Sequence, residues 1–183
     1  MMSKNWRQSL SSIDHQMENV VSHFRKKSIL VDRVFIFFAN YGPAMFFLEM
    51  FLLIAFVFAR HVQVKHALLS LLIAMMAAVT TKLIIDPIAH TIGRIRPFVT
   101  YQYEPLLAKN ANDPSFPSNH AGGALALTTV LVAKFPHLGL ITILLAVLVI
   151  LSRLYTGLHY FFDLLAGGFV GFSVAMVYLW VMR

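Results

Sequence analysis

Long apolar stretches separated by polar connections dominate the pattern of this chain. The stretches cover residues 43–59, 67–88, 121–133, 138–151 and 160–181, and the first can extend back to include residues 34–38. A helix that spans a bilayer needs about 20 residues, with roughly 17 as a lower limit. The second and fifth stretches are long enough unaided, whereas the third and fourth need their flanks. The pattern therefore predicts an all-α, polytopic membrane bundle of about five transmembrane helices.

The first 33 residues have a different pattern, with apolar residues at steps of three and four. These residues are Trp6, Leu10, Ile13, Met17, Val20, Val21 and Phe24, and the opposite face carries Asp14, Gln16, Glu18 and Asn19. This spacing predicts an amphipathic helix. We expect it to lie at the membrane interface with Trp6 as an anchor and with Arg25, Lys26 and Lys27 at headgroup level. The alternative is a solvated arm that packs on the rest. One domain, residues 1–183, then comprises an interfacial arm (1–33) and a helical core (34–183).

Composition agrees with a membrane protein. Hydrophobic residues make up 58% of the chain and charged residues only 13%, whereas soluble domains are closer to half apolar and a quarter charged. The formal net charge of +7 suits anionic lipid headgroups, and nucleic acid is not an expected partner for so apolar a chain. The absence of cysteine excludes disulfides and thiol catalysis.

Small residues indicate where two of the helices approach closely. Gly122 and Gly123 open the third stretch, and Gly167 and Gly171 form a small-xxx-small pair in the fifth. The pair fits either a dimer contact or a contact between helices of the same chain.

The connections alternate in length along the chain. Residues 60–66 and 134–137 form short turns on one side of the membrane, and the long segment 91–119 and the segment 152–159 lie on the other. Counting spans therefore places every strongly polar cluster on one face. A polar loop of more than about 15 residues in a compact domain is usually functional or disordered.

One of these polar clusters is the segment 152–163, which joins two apolar stretches and contains Arg153, His159 and Asp163. Ionisable groups at the margin of a bilayer suggest a function. If the chain is helical from Tyr160 onward, His159 and Asp163 lie at i and i+4 on one face. The carboxylate can then orient the imidazole, and Arg153 can add a planar cation. This set suits attack on a phosphoryl group, and the structural alternative is a buried ion pair between two helices.

Two further clusters fall on the same face. Arg94 and Arg96 precede Pro97, which can end the second helix, and two arginines can hold a phosphate through charge-assisted hydrogen bonds. Ser118 is a candidate N-cap for the third helix, with His120 in its first turn. Backbone N–H groups at a helix start attract anions, and His120 beside a phosphate can give a proton to a leaving oxygen. Taken singly, the arginines could be snorkelling flank residues and the histidine a structural one.

Together these residues resemble a known family. The set Arg96-Pro97, residues 117–120 (Pro-Ser-Asn-His), and Ser152-Arg153 followed by His159 and Asp163 is similar to the type 2 phosphatidic acid phosphatase superfamily. The last two motifs match in full, and the resemblance covers residues 82–181. Short length, five spans and the start of the second motif at Ser115 resemble the bacterial undecaprenyl pyrophosphate phosphatases of the bacitracin-resistance type.

One position departs from the family pattern. A lysine usually stands seven residues before the arginine of Arg-Pro, and here that position is Ala89. Arg94 and the adjacent His90 could partly replace it. Lys82, two helical turns back, is a further auxiliary candidate, but its spacing from Asp86 favours an intramembrane ion pair.

The resemblance implies a mechanism without a cofactor. His159, oriented by Asp163, attacks phosphorus and forms a phosphohistidine, and Arg96, Arg153, Ser118 and Arg94 bind the phosphate oxygens. His120 protonates the leaving group and then activates water. We expect no metal, because fixed cations do its work and the loop residues Glu104 and Asp113 lack supporting ligands.

The resemblance also implies a substrate and a place in the cell. Undecaprenyl pyrophosphate, dephosphorylated to recycle the cell-wall carrier, is the first choice, and phosphatidylglycerol phosphate or phosphatidic acid is the alternative. An alternative of another class is a lipid-phosphate binder or transporter without catalysis. The family places the active site of this multi-pass cell-membrane protein on the extracytoplasmic face. The positive-inside rule opposes this, because Arg25, Lys26, Lys27 and Arg33 would lie outside.

Overall fold

The computed structural model of the protein describes residues 3–60 and 63–182, and the side chains of residues 11–60 and 63–182. Helix bounds are α1 Ser3–Phe24, α2 Ile29–Ala59, α3 Val64–Ile92, α4 Pro97–Thr100, α5 Asn119–Lys134, α6 Gly139–Tyr155 and α7 Phe161–Val181. A single 3-10 turn, Pro136–Leu138, precedes α6. The described residues contain no strand. The predicted all-α class is therefore confirmed.

Four stretches are long and apolar enough to cross a membrane. They are Ile29–Ala59, Val64–Thr100, Pro136–Tyr155 and Phe161–Val181 among the described residues. Helix α5 corresponds to the third predicted stretch, but its 16 residues do not reach this length. The protein is thus a multi-pass bundle in which the five predicted stretches are helical, and four of them qualify as spans.

Helix α5 is short because it lies in the middle of the bundle. It packs against α3, α6 and α7, and Ala121, Ala126 and Val130 on its faces are completely buried. A helix surrounded by other helices does not have to match the thickness of the hydrocarbon layer on its own surface.

The small residues act within the chain. A Cβ added at Gly167 would overlap the carbonyl of Ser118, and one added at Gly171 would overlap the carbonyl of Gly122. The small-xxx-small pair therefore allows the backbones of α7 and α5 to touch. This contact between helices of the same chain accounts for the pair.

Two helix boundaries differ from those expected. Helix α2 starts at Ile29 and passes through Pro43, so the first apolar stretch and the segment before it form one helix. Helix α3 ends at Gly93, which adopts the left-handed conformation with φ 59°, and Pro97 instead begins α4. Glycine adopts this conformation without steric cost, which explains why it ends the helix four residues earlier than the proline.

Helix α1 is amphipathic as predicted, but the two acidic side chains of its polar face are turned toward the protein. Asp14 and Glu18 are 3% and 4% exposed, whereas the apolar Val20 and Phe24 are both 56% exposed. The exposed apolar side chains fit an interfacial helix, and Met17 and Val21 of the same face pack against the core. The sequence predicted Trp6 as an anchor and Leu10 as part of the apolar face. Neither side chain is among those that the structure describes.

Arg25 does not lie free at headgroup level. Its guanidinium forms an ion pair of 2.5 Å with Glu18 and donates to the backbone carbonyl of Tyr155 at 2.6 Å. The neighbouring Lys26 and Lys27 are exposed as expected. Arg25 therefore links α1 to the end of α6. Because its charge is paired with Glu18, it is not available to a lipid headgroup.

A large apolar cavity lies at the end of the bundle opposite the polar clusters. Its volume is about 1240 Å³, and it opens between α2, the start of α3 and the start of α6. Glu49, which is half-buried, lines it and receives a hydrogen bond from Thr142. The two ends of the bundle thus differ in character.

Candidate active site

Backbone hydrogen bonds join the three polar clusters at one rim of the bundle. The N–H of Ser115 donates to the carbonyl of Arg94 at 2.9 Å, and the N–H of Ser118 donates to the carbonyl of Asp163 at 3.0 Å. Side chains that are more than sixty residues apart in sequence therefore lie together, as the count of spans predicted.

His159 is held rigidly between α6 and α7. Its backbone N–H donates to the carbonyl of Arg153 at 3.3 Å, and its side chain is buried. Ring atom Nδ1 lies 2.8 Å from the carbonyl oxygen of Ser115. A carbonyl can only accept, so Nδ1 carries the proton and Nε2 keeps its lone pair. Burial lowers the pKa of His159, which favours this neutral form.

Asp163 contributes to the site differently from the prediction. Its Oδ2 is 3.8 Å from Nδ1 of His159, which is too long for a hydrogen bond. The buried carboxylate instead accepts from the N–H of Tyr160 at 2.8 Å and from Arg94 at 2.5 Å. The carbonyl of Ser115, which the sequence did not single out, therefore orients the imidazole. Asp163 lies close enough to act on it electrostatically.

Arg96 lies beside the nucleophilic nitrogen of this histidine. Its guanidinium donates to the carbonyls of Asp113, Pro114 and Leu158 at 3.0, 2.9 and 2.7 Å. One terminal nitrogen is 3.4 Å from Nε2 of His159. Arg96 thus ties the long loop to the histidine segment and places a buried positive charge at the reactive atom.

Arg153 has unused hydrogen-bonding capacity. The side chain is buried, and one terminal nitrogen donates to the carbonyl of Ala39 at 2.6 Å. No described residue offers a partner to its buried Nε. A buried donor without a partner is costly, so this N–H is available for a ligand oxygen.

Ser118 and His120 occupy the predicted positions at the start of α5. Ser118 is the N-cap, and its fully buried hydroxyl accepts from the N–H of Ala121 at 3.4 Å. His120 interacts electrostatically with Arg153, His159 and Arg96. It lies outside the four candidate spans. Burial is the main cause that lowers its pKa to about 2, and the positive charge of Arg153 is the second. Only an anion bound among these cations would favour a protonated His120.

Arg94 is placed differently from its neighbour Arg96. Its guanidinium lies between two carboxylates, at 2.5 Å from Asp14 and 2.5 Å from Asp163. It also stacks over the ring of Tyr160 at 3.9 Å. Both sides of the guanidinium are engaged, so the structure does not place Arg94 as a free phosphate ligand.

The auxiliary candidates lie at the edge of the site. Lys82 pairs with Asp86 as its spacing predicted, and Asp86 also accepts from the side chain of Asn119. Ala89 is buried, and the adjacent His90 is exposed. The described contacts therefore give Lys82 a structural partner. The position at which the family usually has a lysine is occupied by a buried alanine.

The described residues include no group of three or more His, Asp or Glu side chains that could hold a metal ion. The rim contains the carboxylates of Asp14 and Asp163, both paired with Arg94, and beside them the guanidinium groups of Arg96 and Arg153 without a described carboxylate partner. This donor set suits an anionic ligand.

Comparison with known sequences decides the family. The profile of the PAP2 superfamily matches residues 66–183, which is more than half of the chain. The chain belongs to the PAP2 superfamily. The resemblance drawn from the motifs is thereby confirmed, and all the motif residues lie within the matched PAP2 range.

One curated relative is the undecaprenyl-diphosphatase BcrC from Bacillus subtilis, which is 31% identical over 83 residues. The aligned part covers 45% of this chain and 42% of that protein. The chain thus matches less than half the length of this PAP2 relative.

Three solved structures share the PAP2 fold. The transmembrane PAP2-type phosphatidylglycerolphosphate phosphatase from Bacillus subtilis has a TM-score of 0.70 and 25% identity, covering 94% of this chain and 86% of that one. LpxE from Aquifex aeolicus has a TM-score of 0.69 and 22% identity, with coverages of 90% and 93%. A bacterial vanadium-dependent iodoperoxidase has a TM-score of 0.69 and 15% identity, with coverages of 92% and 47%. The last two similarities concern the fold alone.

Proposed function

We propose that this protein is a lipid-phosphate phosphatase that works through a phosphohistidine intermediate on His159. The observation that carries the proposal is a neutral imidazole beside the buried guanidinium of Arg96, with the buried guanidinium of Arg153 close to Arg96 and His120. Nε2 of His159 carries a lone pair that faces a terminal nitrogen of Arg96 at 3.4 Å, and neither Arg96 nor Arg153 forms an ion pair with a described carboxylate. Unpaired buried charge is costly, so an anionic substrate group is its natural partner.

The chemistry proceeds in two displacements. Nε2 of His159 attacks phosphorus, the P–N bond forms, and the bond from phosphorus to the leaving oxygen breaks. Arg96, Arg153 and Ser118 stabilise the charge on the phosphoryl oxygens, which is the main requirement of phosphoryl transfer. The bound phosphate favours protonation of His120, which gives its proton to the leaving oxygen.

The second displacement restores the enzyme. His120, now neutral, takes a proton from water as the water oxygen attacks phosphorus. The P–N bond breaks, inorganic phosphate leaves, and His159 returns to its neutral form. Fixed cations supply the stabilisation that a metal would otherwise give, so we propose a metal-independent reaction.

Undecaprenyl pyrophosphate is the proposed substrate. The sequence similarity to BcrC, together with two buried arginines that suit a diphosphate, supports this choice. Phosphatidylglycerol phosphate is the second candidate, because a phosphatase named for it shares the fold at 25% identity. Phosphatidic acid is a further lipid phosphate to compare. An undecaprenyl pyrophosphate phosphatase would serve cell-wall peptidoglycan synthesis and raise resistance to bacitracin.

We also propose that the active rim faces away from the cytoplasm. Arg25 counted against this orientation in the sequence, but its charge is paired with Glu18 in a buried contact. The turns at the other end carry Arg60, Lys65 and Lys134 and no acidic residue. These cations are compatible with a cytoplasmic location for that end, and the family resemblance, not the count of Lys and Arg residues, supports this orientation. A reporter fused after residue 183 should therefore respond as cytoplasmic, and an extracytoplasmic signal would refute the orientation.

Turnover by the purified protein tests the function. We expect phosphate release from undecaprenyl pyrophosphate with the highest kcat/KM among the three lipids, unchanged by a chelator, and its loss in His159→Ala. Faster turnover of phosphatidylglycerol phosphate or phosphatidic acid would reverse the order of substrates. Binding of the lipids without turnover by the wild type would contradict the enzyme assignment, and activity restored only by magnesium would contradict metal independence.

A further inference from the structure

Helix α1 contributes a buried carboxylate that reaches the active rim. Asp14 is 3% exposed, although it belongs to an amphipathic helix on which the apolar Val20 and Phe24 are exposed. It lies outside residues 66–183, the part of the chain that matches the family profile. A buried charged group needs compensating partners, and those of Asp14 all belong to the active rim.

These partners connect Asp14 to the catalytic groups. Its Oδ2 lies 2.5 Å from a terminal nitrogen of Arg94, whose other terminal nitrogen lies 2.5 Å from Asp163. Its Oδ1 accepts from the N–H of Phe162 at 3.1 Å, in the first turn of α7. Asp163 follows Phe162 directly and lies 3.8 Å from His159. Two short links therefore separate Asp14 from the carboxylate beside the nucleophile.

We propose that Asp14 is a positioning residue for the reaction, which holds Arg94 and thereby sets the position and the charge of Asp163 beside His159. This inference rests on the proposed function. It assigns to α1 a part in the chemistry, in addition to any contact of that helix with the membrane surface.

Asp14 can have this effect because the positive charge of Arg94 is shared between two carboxylates. Arg94 with Asp163 alone would form a neutral pair, and little of the carboxylate's field would remain at His159. Asp14 supplies a second negative charge to the same guanidinium, so the three groups together are negative by one. The other charged or titratable groups near His159 are Arg96 and His120. A net negative set opposite Arg96 stabilises the positive charge that develops on the ring as it attacks phosphorus.

A structural role for Asp14 would give a different result, and Glu18 provides the matched control. Glu18 lies one turn further along the same face of α1, is 4% exposed, and forms an ion pair of 2.5 Å with Arg25. Arg25 binds the carbonyl of Tyr155 at the end of α6, and neither residue contacts Asp163. Both ion pairs attach the α1 region to the bundle, but only Asp14 is linked to the carboxylate beside the nucleophile.

The kinetic experiment compares wild type, Asp14→Asn and Glu18→Gln at equal amounts of folded protein. We expect Asp14→Asn to lower kcat about tenfold, less than the roughly hundredfold cost of a 1 Å misplacement, with KM changed by less than about twofold. Glu18→Gln should retain kcat within about twofold. Equal losses in the two variants, or a wild-type kcat in Asp14→Asn, would overturn the proposal.

A second measurement does not depend on turnover. NMR of the histidine rings in detergent micelles gives the pH at which His159 becomes protonated. Removing a negative charge disfavours the imidazolium, so this pH should fall in Asp14→Asn and stay unchanged in Glu18→Gln. No shift in Asp14→Asn, or the same shift in both variants, would overturn the role of Asp14. A wild type that shows the expected titration but hydrolyses no lipid phosphate would instead refute the proposed function.

Discussion

The two ends of the bundle both carry cations but use them differently. At the active rim, Arg25 and Arg94 are paired with carboxylates, and Arg96 and Arg153 are buried without one. At the opposite end, Arg60 and Lys134 are exposed to their surroundings, next to an apolar cavity of about 1240 Å³. Hydrated cations need no partner, whereas buried ones do.

This difference indicates where an anion binds. Of the eight acidic residues, only Glu49 lies near the opposite end, and the other seven belong to the rim or to α1 and the start of α2. Even with these carboxylates at hand, the rim leaves two guanidinium groups unpaired at its centre. Buried positive charge without a carboxylate partner lies there, and in the proposed function the substrate phosphate balances it.

The largest difference in kcat between the two ends should appear when one histidine at each end is replaced. His159→Gln removes the nucleophile and should lower kcat by at least about a thousandfold, as loss of a nucleophile does in other covalent mechanisms. His137→Gln, in the turn at the opposite end, should change kcat by less than about twofold. Comparable losses in both variants would remove the functional distinction between the ends.

Exchange of an arginine at each end should have a smaller effect. Arg153→Gln removes the buried Nε donor, which has no partner among the described residues, and loss of one such donor typically costs about 10²–10³-fold in kcat. Arg60→Gln, an exposed cation at the opposite end, serves as the control and should retain activity. Phosphate release under saturating lipid measures both, and an Arg153→Gln variant with normal turnover would show that this guanidinium does not bind the substrate.

Packing beneath the rim should show in stability. Gly171→Ala forces α7 away from the carbonyl of Gly122, and overpacking of this kind costs about 1–3 kcal/mol. The Cβ of Gly123→Ala meets nothing within 4 Å, so this variant should be as stable as wild type or slightly more stable. Thermal unfolding in detergent compares the two. Equal midpoints would mean that the close contact of α5 and α7 does not hold the rim together.

The smallest predicted effect concerns pH. Because burial lowers the pKa of His159 below the ordinary 6.5, the ring stays mostly neutral at that pH. Protonation would remove the lone pair, so the midpoint of the acid limb of kcat/KM should lie below pH 6.5, and kcat/KM at pH 6.5 should still exceed half its maximum. A midpoint of the acid limb above pH 6.5 would contradict a neutral, desolvated nucleophile.

Much of this arrangement could be predicted from the sequence because it depends on local spacing and on counting spans. The alternation of long and short connections placed all polar clusters on one face. The cap at Ser118 and the pair of Lys82 with Asp86 follow from helical geometry within one segment. These features require no knowledge of how distant helices pack.

The remaining features depend on packing between distant segments. Arg94 and Arg96 are chemically identical and two residues apart, yet only Arg94 meets Asp14, which is 80 residues away along the chain. The backbone carbonyl of Ser115 orients the ring of His159. Every residue has such a carbonyl, so the amino-acid type does not reveal this contact. Asp14 offered one signal, a carboxylate on an amphipathic helix near a cluster with surplus arginines, but the sequence could not say which way that face turned.

The most direct test of the account is to trap the covalent intermediate. Purified protein would be mixed with undecaprenyl pyrophosphate labelled in its terminal phosphate, quenched under alkaline denaturing conditions, and digested for mass spectrometry. The account predicts phosphate on the peptide that contains His159 in the wild type, and none in His159→Gln. Label on another residue, or normal turnover by His159→Gln, would contradict it.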